Sequence, residues 1–252
     1  MRCVISLTPD PEFQKTEVKI NLNYNHSLLA VILSFIKEIE PSLAEKLHSS
    51  TGFKFYTFSR LFAKNGKIIN SYLVLPPENS YVKFYVSSPD EKIIKTLMKG
   101  AVSLLQVKLG NGIFYPSFMS ILEDVEITQQ EKMKLLSPLV LSKPVEKNGK
   151  LFHKYLSPFD KEFFQRFSEN LKRKYEVFYG SPPKGEVKVI PDWDYINKKK
   201  KISKLVKIKD SFIRGYLFPF LIEGDRELIK FGYNAGFGEK TGMGFGFAEV
   251  IR

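Results

Sequence analysis

The sequence predicts an α+β fold of two tandem ferredoxin-like domains, each with the element order βαββαβ. Strand-like segments alternate with helices whose apolar residues recur at helical spacing, and this order runs twice along the 252 residues. The chain is 43% hydrophobic, which is enough apolar material for two cores of roughly 120 residues each. We therefore expect an N-terminal domain over residues 1–125 and a C-terminal domain over residues 126–252, each RRM-like in topology.

The first half shows the clearer patterns, with period-two alternation in its strands and apolar stripes along its helices. The expected elements are a strand at 2–8, a helix at 27–39, a short helix opened by Pro41, strands at 54–62 and 81–86, a helix capped by Ser88, and strand material near 112–122. Phe35 falls in the apolar stripe of the first helix, where we expect a core residue.

The second half is compatible with the same plan. The expected elements are strands near 139–142 and 151–156, a helix from Asp160 to about Tyr175, strands at 202–209 and 211–221, a helix at 225–233, and a loop with a final strand over 236–251. The polar stretch Thr128–Lys134 is the expected linker between the domains.

The net charge points to a polyanionic partner. Lys and Arg number 39 against 27 acidic residues, a formal charge of +12. Residues 126–252 carry +9 of this excess, concentrated in Lys172-Arg173-Lys174 and in the lysine run of Lys198, Lys199, Lys200 and Lys201. A positive run is often only a solvated face, but two of them in one half favour a phosphate-binding groove.

Composition also excludes several classes of protein. The single cysteine, Cys3, excludes an internal disulfide framework and a cysteine-based zinc site. No stretch approaches the roughly 18 uninterrupted apolar residues of a membrane span. We therefore expect an intracellular protein without a membrane partner.

The sharpest motif is the glycine loop, Gly236–Gly246. Five of the chain's 16 glycines fall within it, at Gly236, Gly238, Gly242, Gly244 and Gly246. Glycine lets the backbone approach a ligand closely, repeated main-chain N–H groups can cradle an anion, and Lys240 adds a point charge. Because the loop follows a helix and leads into a strand, it does not have the order of a nucleotide-binding loop.

Two Gly-hydrophobic-Gly triplets near the C-terminus of a basic double ferredoxin-like chain resemble the signature of the RAMP superfamily of CRISPR-associated proteins. Asn23-Tyr24-Asn25-His26, Leu47-His48 and Phe55-Tyr56-Thr57-Phe58-Ser59 are similar to pieces of the family whose endoribonucleases cut CRISPR precursor transcripts within each repeat. The resemblance runs along the whole chain. It implies repeat RNA as the partner and, since the family is prokaryotic, a cytoplasmic setting.

The resemblance also implies the chemistry. In this family the ribose 2′-hydroxyl attacks the scissile phosphate without a metal, leaving a 2′,3′-cyclic phosphate and a 5′-hydroxyl. His48 matches the family's catalytic histidine and can act as general acid or base. Lys54 matches the lysine that stabilises the phosphate charge. No metal site or cofactor is expected, and His26 and His153 are expected to be structural.

One departure keeps alternatives open. Some family members carry a tyrosine where this chain has Phe35, and phenylalanine cannot transfer a proton. Tyr24 or Tyr56 could substitute only if the fold brought one near His48. The alternatives are a catalytically weak or non-cleaving paralogue that binds repeat RNA, or a structural RAMP subunit of an effector complex. A homodimer and other CRISPR-associated effector proteins remain open as further partners.

RNA binding follows more directly from the residues. The five glycines of the loop, Lys240 and the run from Lys198 to Lys201 are the expected RNA-binding residues, because lysines supply sequence-independent affinity for phosphate. Exposed aromatic residues could stack on bases. Trp193, beside the lysine run, has acidic neighbours that argue against its contacting phosphate.

Overall fold

The computed structural model of the chain describes residues 1–147, 149–199 and 201–252, and of Lys147, Lys150 and Leu151 it describes the backbone alone. The chain divides into two units. The first comprises Met1–Gly52 and Arg60–Asp124, and the second comprises Phe53–Ser59 and Val125–Arg252. The Phe53–Ser59 segment therefore groups with the second unit, whereas the sequence analysis assigned it to the first.

The first unit contains three helices and a main sheet of antiparallel strands. Its elements are β1 (Arg2–Pro9), β2 (Val18–Asn21), α1 (Asn25–Ile39), α2 (Pro41–Ser49), β4 (Phe62–Lys64), β5 (Lys67–Ile69), β6 (Tyr72–Leu75), β7 (Tyr81–Ser87), α3 (Glu91–Ser103), β8 (Val107–Leu109) and β9 (Gly112–Ile121); β3 (Thr57–Phe58) belongs to the second unit. In the main sheet β7, β1, β9 and β8 are neighbours in that order, and β4 pairs with β7. A smaller sheet has the order β2-β6-β5.

The core of the first unit lies under α1 and α3. Phe35 on α1 is fully buried, as expected. A Cβ on Gly100 of α3 would lie 1.7 Å from the Phe35 carbonyl oxygen, so the two helices cross in direct backbone contact. Cys3, in the central strand β1, is fully buried, and burial raises the pKa of its thiol to about 12. The cap of α3 is the Asp90 carboxylate, which accepts from the Lys92 amide at 2.9 Å, rather than the predicted Ser88.

The second unit repeats the topology with longer hairpins. Its elements after β3 are β10 (Gln130–Leu135), β11 (Ser142–Lys147), β12 (Lys150–Tyr155), α4 (Glu162–Tyr179), β13 (Val187–Pro191), α5 (Trp193–Lys198), β14 (Ser203–Ile208), β15 (Ser211–Tyr216), β16 (Pro219–Gly224), α6 (Arg226–Ala235), a 3₁₀ turn (Thr241–Met243) and β17 (Ala248–Val250). The sheet has the order β13-β16-β10-β17, and β11–β12 and β14–β15 form separate hairpins.

Each main sheet places the four ferredoxin-like strands in the order second, third, first, fourth: β4-β7-β1-β9 in one unit and β13-β16-β10-β17 in the other. The predicted fold class, two tandem ferredoxin-like domains, is therefore confirmed. The core of the second unit is strongly aromatic, with Phe163 and Phe167 on α4 packed on Phe218 and Phe220.

Other local predictions were also wrong. The expected linker Thr128–Lys134 contains most of β10, a central strand of its sheet, because Met133 and Leu135 are buried while Lys132 and Lys134, which alternate with them, are exposed. Of the expected strand at 54–62, only Thr57–Phe58 and Phe62, the first residue of β4, lie in strands. The Lys54 carbonyl oxygen instead accepts a hydrogen bond from the Thr241 hydroxyl at 2.9 Å.

Candidate functional site

The glycine loop packs against the Phe53–Ser59 segment. The buried Thr57 hydroxyl donates to the Phe245 carbonyl oxygen at 2.8 Å, and the Thr241 hydroxyl holds the Lys54 carbonyl. A Cβ on Gly244 would lie 2.3 Å from the Phe58 ring, and a Cβ on Gly242 would lie 2.7 Å from the Lys54 Cβ. Glycine is therefore required at these positions by the protein's own packing.

The other side of the loop packs on the segment before β11. The Gly246 amide donates to the Pro138 carbonyl oxygen at 2.9 Å, and the Glu239 amide donates to the Val140 carbonyl oxygen at 2.7 Å. Gly246 has a left-handed φ of +73°, and a Cβ there would lie 1.8 Å from the Phe237 carbonyl oxygen. Several loop amides are thus used within the protein.

A buried lysine supports the loop from below. Lys174 of α4 is fully buried, and its Nζ donates to the carbonyl oxygens of Gly236 and, at 3.2 Å, of Gly238. Burial lowers the pKa of Lys174 to about 7. Its neighbours in the sequence behave differently, since Lys172 pairs with Glu186 and the Arg173 guanidinium lies 5.8 Å from the centre of the Phe53 ring. The expected basic cluster 172–174 is therefore not one solvated patch.

A carboxylate fixes the loop at its middle. The two Glu239 carboxylate oxygens accept from the Ser142 amide at 2.8 Å and from the Ser142 hydroxyl at 2.7 Å. The same hydroxyl lies 3.4 Å from His153 Nδ1 on the neighbouring strand β12. His153 is thus part of the structural contact that anchors Glu239.

These contacts change how the glycine loop is interpreted. Gly236, Gly238, Gly242, Gly244 and Gly246 are all buried. The two residues that the loop exposes are Lys240 and Met243. The sequence analysis predicted that these five glycines bind RNA. Their burial shows that they shape the loop through close packing, and their contact with RNA stays a prediction.

Lys54 and Tyr56 lie beside the loop within the second unit. Lys54 is half-buried, and partial burial lowers the pKa of its amine. Tyr56 is buried, which raises the pKa of its hydroxyl, and this hydroxyl would lie 3.3 Å from a Cβ on Gly242. Lys54 is therefore a cation on the surface of the glycine loop.

His48 belongs to the first unit, as do Phe35 and Tyr24, two of the three positions discussed for its proton-transfer partner; the third, Tyr56, belongs to the second unit. His48 is exposed in the last turn of α2. Phe35 is in the core, and the Tyr24 hydroxyl accepts a hydrogen bond from the Leu61 amide at 3.0 Å, with its pKa raised by burial. His26 is exposed in the first turn of α1. Within their unit, neither Phe35 nor Tyr24 presents a free hydroxyl.

The predicted lysine run follows α5. Lys198 is the last residue of that helix, and Lys198, Lys199 and Lys201 are exposed; Lys200 lies outside the described residues. Among the described residues, no cluster of three or more His, Cys, Asp or Glu side chains has the arrangement of a metal site. In the same residues, no helix has the length and hydropathy needed to cross a membrane.

Sequence reasoning missed four residues that shape the site: Thr57, Lys174, Glu239 and Thr241. Each acts on a partner at least 62 positions away along the chain, so no local pattern could have indicated it. The single available signal was the unusual glycine density of the loop, which marks close backbone packing as readily as ligand binding.

Comparison with known proteins finds matches to both halves of the chain. Residues 122–250 match the family described as "CRISPR associated protein Cas6, C-terminal", and residues 19–119 match "CRISPR-associated protein Cas6, N-terminal". A Pyrococcus furiosus protein, named a CRISPR-associated endoribonuclease-like protein Cas6, is 32% identical over 253 residues, covering 100% of this chain and 99% of its own length. "CRISPR-associated endoribonuclease Cas6 1" of Methanocaldococcus jannaschii is 30% identical, covering 92% of this chain and 87% of its own length.

The likeness extends to solved structures. A protein described as "An RAMP protein binding different RNA substrates" superimposes with a TM-score of 0.85 and 29% identity over 100% of both chains. Both halves of the chain match the corresponding family descriptions, and the relatives cover its full length. This chain belongs to the Cas6 family of CRISPR-associated proteins.

Proposed function

We propose that this protein binds the repeats of precursor CRISPR RNA and cleaves them without a metal ion. The contact between Lys54 and the glycine loop carries the proposal. It sets a half-buried cation against Gly242, two residues from the exposed Lys240, on the more basic half of the chain. Two cations near one loop suit the crowded phosphate of an RNA transition state. Relatives named as CRISPR-associated endoribonucleases support the same activity.

The reaction in this proposal needs a base for the 2′-proton, an acid for the 5′-oxygen and positive charge at the phosphate. The 2′-oxygen loses its proton and attacks the neighbouring phosphorus, and the bond from phosphorus to the 5′-oxygen breaks. The products are a 2′,3′-cyclic phosphate and a 5′-hydroxyl that has gained a proton. His48 is assigned a proton transfer, because an imidazole can both accept and donate a proton. Lys54 is assigned the stabilisation of the phosphate charge. We place the activity in the cytoplasm.

Incubation of labelled repeat RNA with the protein in EDTA tests this proposal. We expect cyclic-phosphate products in EDTA, a loss of roughly 10²–10⁴-fold in rate for H48A, and a loss on the order of 10²-fold for K54A. H26A is the matched control, since His26 is also an exposed helical histidine of the first unit but has no assigned role. Cleavage that disappears in EDTA, or that is as fast in H48A as in H26A, contradicts the assignment.

A second candidate, a protein that binds repeat RNA without cutting it, is favoured by Phe35. This side chain is fully buried in the core of the first unit and has no hydroxyl with which to transfer a proton. The Pyrococcus furiosus relative, whose name says endoribonuclease-like, fits the same alternative. Tight, salt-sensitive binding of repeat RNA without products would favour this candidate. Co-purification with other CRISPR-associated proteins and mature guide RNA would instead indicate a subunit of an effector complex.

A further inference from the structure

Two aromatic rings stand exposed together on the second unit. Phe159, in the connection between β12 and α4, is 65% exposed, and Trp193, the first residue of α5, is 39% exposed. Their ring centroids lie 5.6 Å apart with an interplanar angle of 47°. Paired exposed rings leave a large apolar area in contact with water, which is characteristic of binding surfaces. Neither ring takes part in the site described above.

Hydrogen bonds hold the backbone that carries each of the two rings. The Ser157 amide and hydroxyl donate to Asp160 Oδ2 at 2.7 and 2.9 Å, closing the turn that carries Phe159. Asp192 caps α5 by accepting from the Tyr195 amide at 2.8 Å, which fixes the helix at Trp193. A surface whose parts are already ordered loses less conformational entropy on binding. The pair is therefore pre-organised to receive a flat ligand.

The charges around the pair separate into two zones. Asp160 follows Phe159 and pairs with Lys154 at 3.5 Å, whereas Asp192 and Asp194 adjoin Trp193 on either side along the chain. The carboxylates beside Trp193 disfavour a phosphate directly above the indole but not the uncharged face of a base. Beyond Trp193 the helix leads to exposed Lys198 and Lys199, and five residues of helix span about 7.5 Å. An aromatic surface followed by cations matches the alternation of base and phosphate along a single strand.

We propose that Phe159 and Trp193 form a stacking platform for one unpaired nucleobase, and that Lys198 and Lys199 contact the phosphates beside it. The ligand is a single-stranded segment of RNA. The inference rests on the proposed function only in taking RNA as the ligand, since the platform uses neither His48 nor Lys54. It gives the acidic neighbours of Trp193 a role: they direct the base, and not its phosphate, onto the ring.

Trp193 is the only tryptophan of the chain, so native fluorescence reports directly on the platform. The probe is 2′-O-methyl oligoadenylate, which lacks the hydroxyl needed for cleavage. We expect it to quench the emission of the wild-type protein, whereas the same strand annealed to oligouridylate does not. In fluorescence polarisation, W193A weakens binding of the labelled probe by roughly 5- to 100-fold, with an unchanged dependence on salt. F159A weakens both quenching and affinity, and W193F retains most of the affinity.

F13A is the matched control, because Phe13 is 57% exposed but lies in the first unit. Equal losses in F13A and W193A overturn the platform, as does equal quenching by the duplex. A change in the oligomeric state of W193A without a loss of probe affinity also overturns it, by making the patch a protein-docking surface.

Cleavage of repeat RNA is measured in parallel. If the wild-type protein cleaves repeat RNA but the probe does not quench its emission and binds W193A as tightly as the wild type, the platform fails and the proposed function stands. If the wild-type protein neither binds nor cuts repeat RNA, both fail.

Discussion

Lys174 is a fully buried lysine whose amine donates two hydrogen bonds. Its amine satisfies two carbonyl oxygens of the glycine loop, and burial lowers its pKa from 10.5 to about 7. The folded protein therefore releases this proton near pH 7, whereas the unfolded chain holds it to about pH 10.5. Between these values the unfolded state binds more protons, so this residue makes the free energy of unfolding rise with pH. The free-energy cost of burying Lys174 is greatest below pH 7, because the buried amine is then charged.

The variant K174M tests this linkage, because methionine has a similar length but no charge. We expect the stability of the wild-type protein relative to K174M to increase from pH 6 to pH 9, since only the wild type has the depressed lysine. Urea unfolding at the two pH values measures the difference. All other titratable groups are common to both proteins and cancel. A difference that stays constant across this range contradicts the prediction.

Gly246 and Gly180 separate the two reasons for which a protein uses glycine. Both have a φ of +73°. A Cβ on Gly180 would meet nothing within 4 Å, whereas one on Gly246 would lie 1.8 Å from the Phe237 carbonyl oxygen. Any effect common to both positions therefore comes from the backbone conformation, and any additional effect at Gly246 comes from close packing.

We expect G180A to cost about 1–2 kcal/mol of stability, the penalty of a left-handed conformation for an L-residue. G246A should cost about 1–3 kcal/mol more, because the loop must shift to admit the methyl group. Urea denaturation followed by circular dichroism measures both values. Equal losses would show that the close approach at Gly246 is relieved without cost.

At the scale of elements, the sequence predicted most of what has a regular local pattern. The apolar stripes of α1, α3 and α4 were read correctly, because their buried positions repeat at helical spacing. β10 was missed, since its two buried residues, Met133 and Leu135, alternate with exposed lysines in a polar stretch. The Phe53–Ser59 segment groups with the second unit, which the sequence could not indicate because two of its hydrogen-bond partners lie nearly 190 residues further along the chain. Such distant pairing leaves no trace in local periodicity.

The hydrogen bond from Thr57 to Phe245 should be one of the main attachments of this segment. We expect T57V to destabilise the second unit by about 1–3 kcal/mol, because a buried carbonyl oxygen loses its donor. The rate of RNA cleavage should also fall, as Lys54 lies on the same segment. T51V is the control, since Thr51 is exposed and its replacement should change stability by no more than about 0.5 kcal/mol. A thermal unfolding midpoint for T57V equal to that of T51V would contradict the expectation.

At the scale of the whole molecule, the charge excess favours a polyanionic partner but does not indicate which residues would contact it. Residues 126–252 carry +9 of the +12 net charge. The structure divides these cations by role: Lys174 is buried, Lys172 is paired with Glu186, and Lys198, Lys199 and Lys201 are exposed. Sequence alone could not make this division, because burial and pairing depend on tertiary packing.

The salt dependence of RNA binding tests the exposed lysines. Each phosphate contact with a single strand contributes about −0.7 to the slope of log K against log salt concentration. We expect the triple variant K198A/K199A/K201A to reduce the magnitude of this slope by about 2. The triple variant K15A/K37A/K67A removes the same charge from exposed positions of the first unit and should leave the slope unchanged. Equal slopes in the two variants would show that net charge alone governs affinity.

The buried Cys3 and the exposed Trp193 are each the sole residue of their kind, and they lie in different units. A thiol with a pKa near 12 at the centre of β1 is shielded from alkylating reagents until that strand opens. Alkylation kinetics and tryptophan emission, followed in one sample, would therefore report separately on the opening of each ferredoxin-like half. The native sequence thus carries two independent probes of cooperativity, without any engineered label.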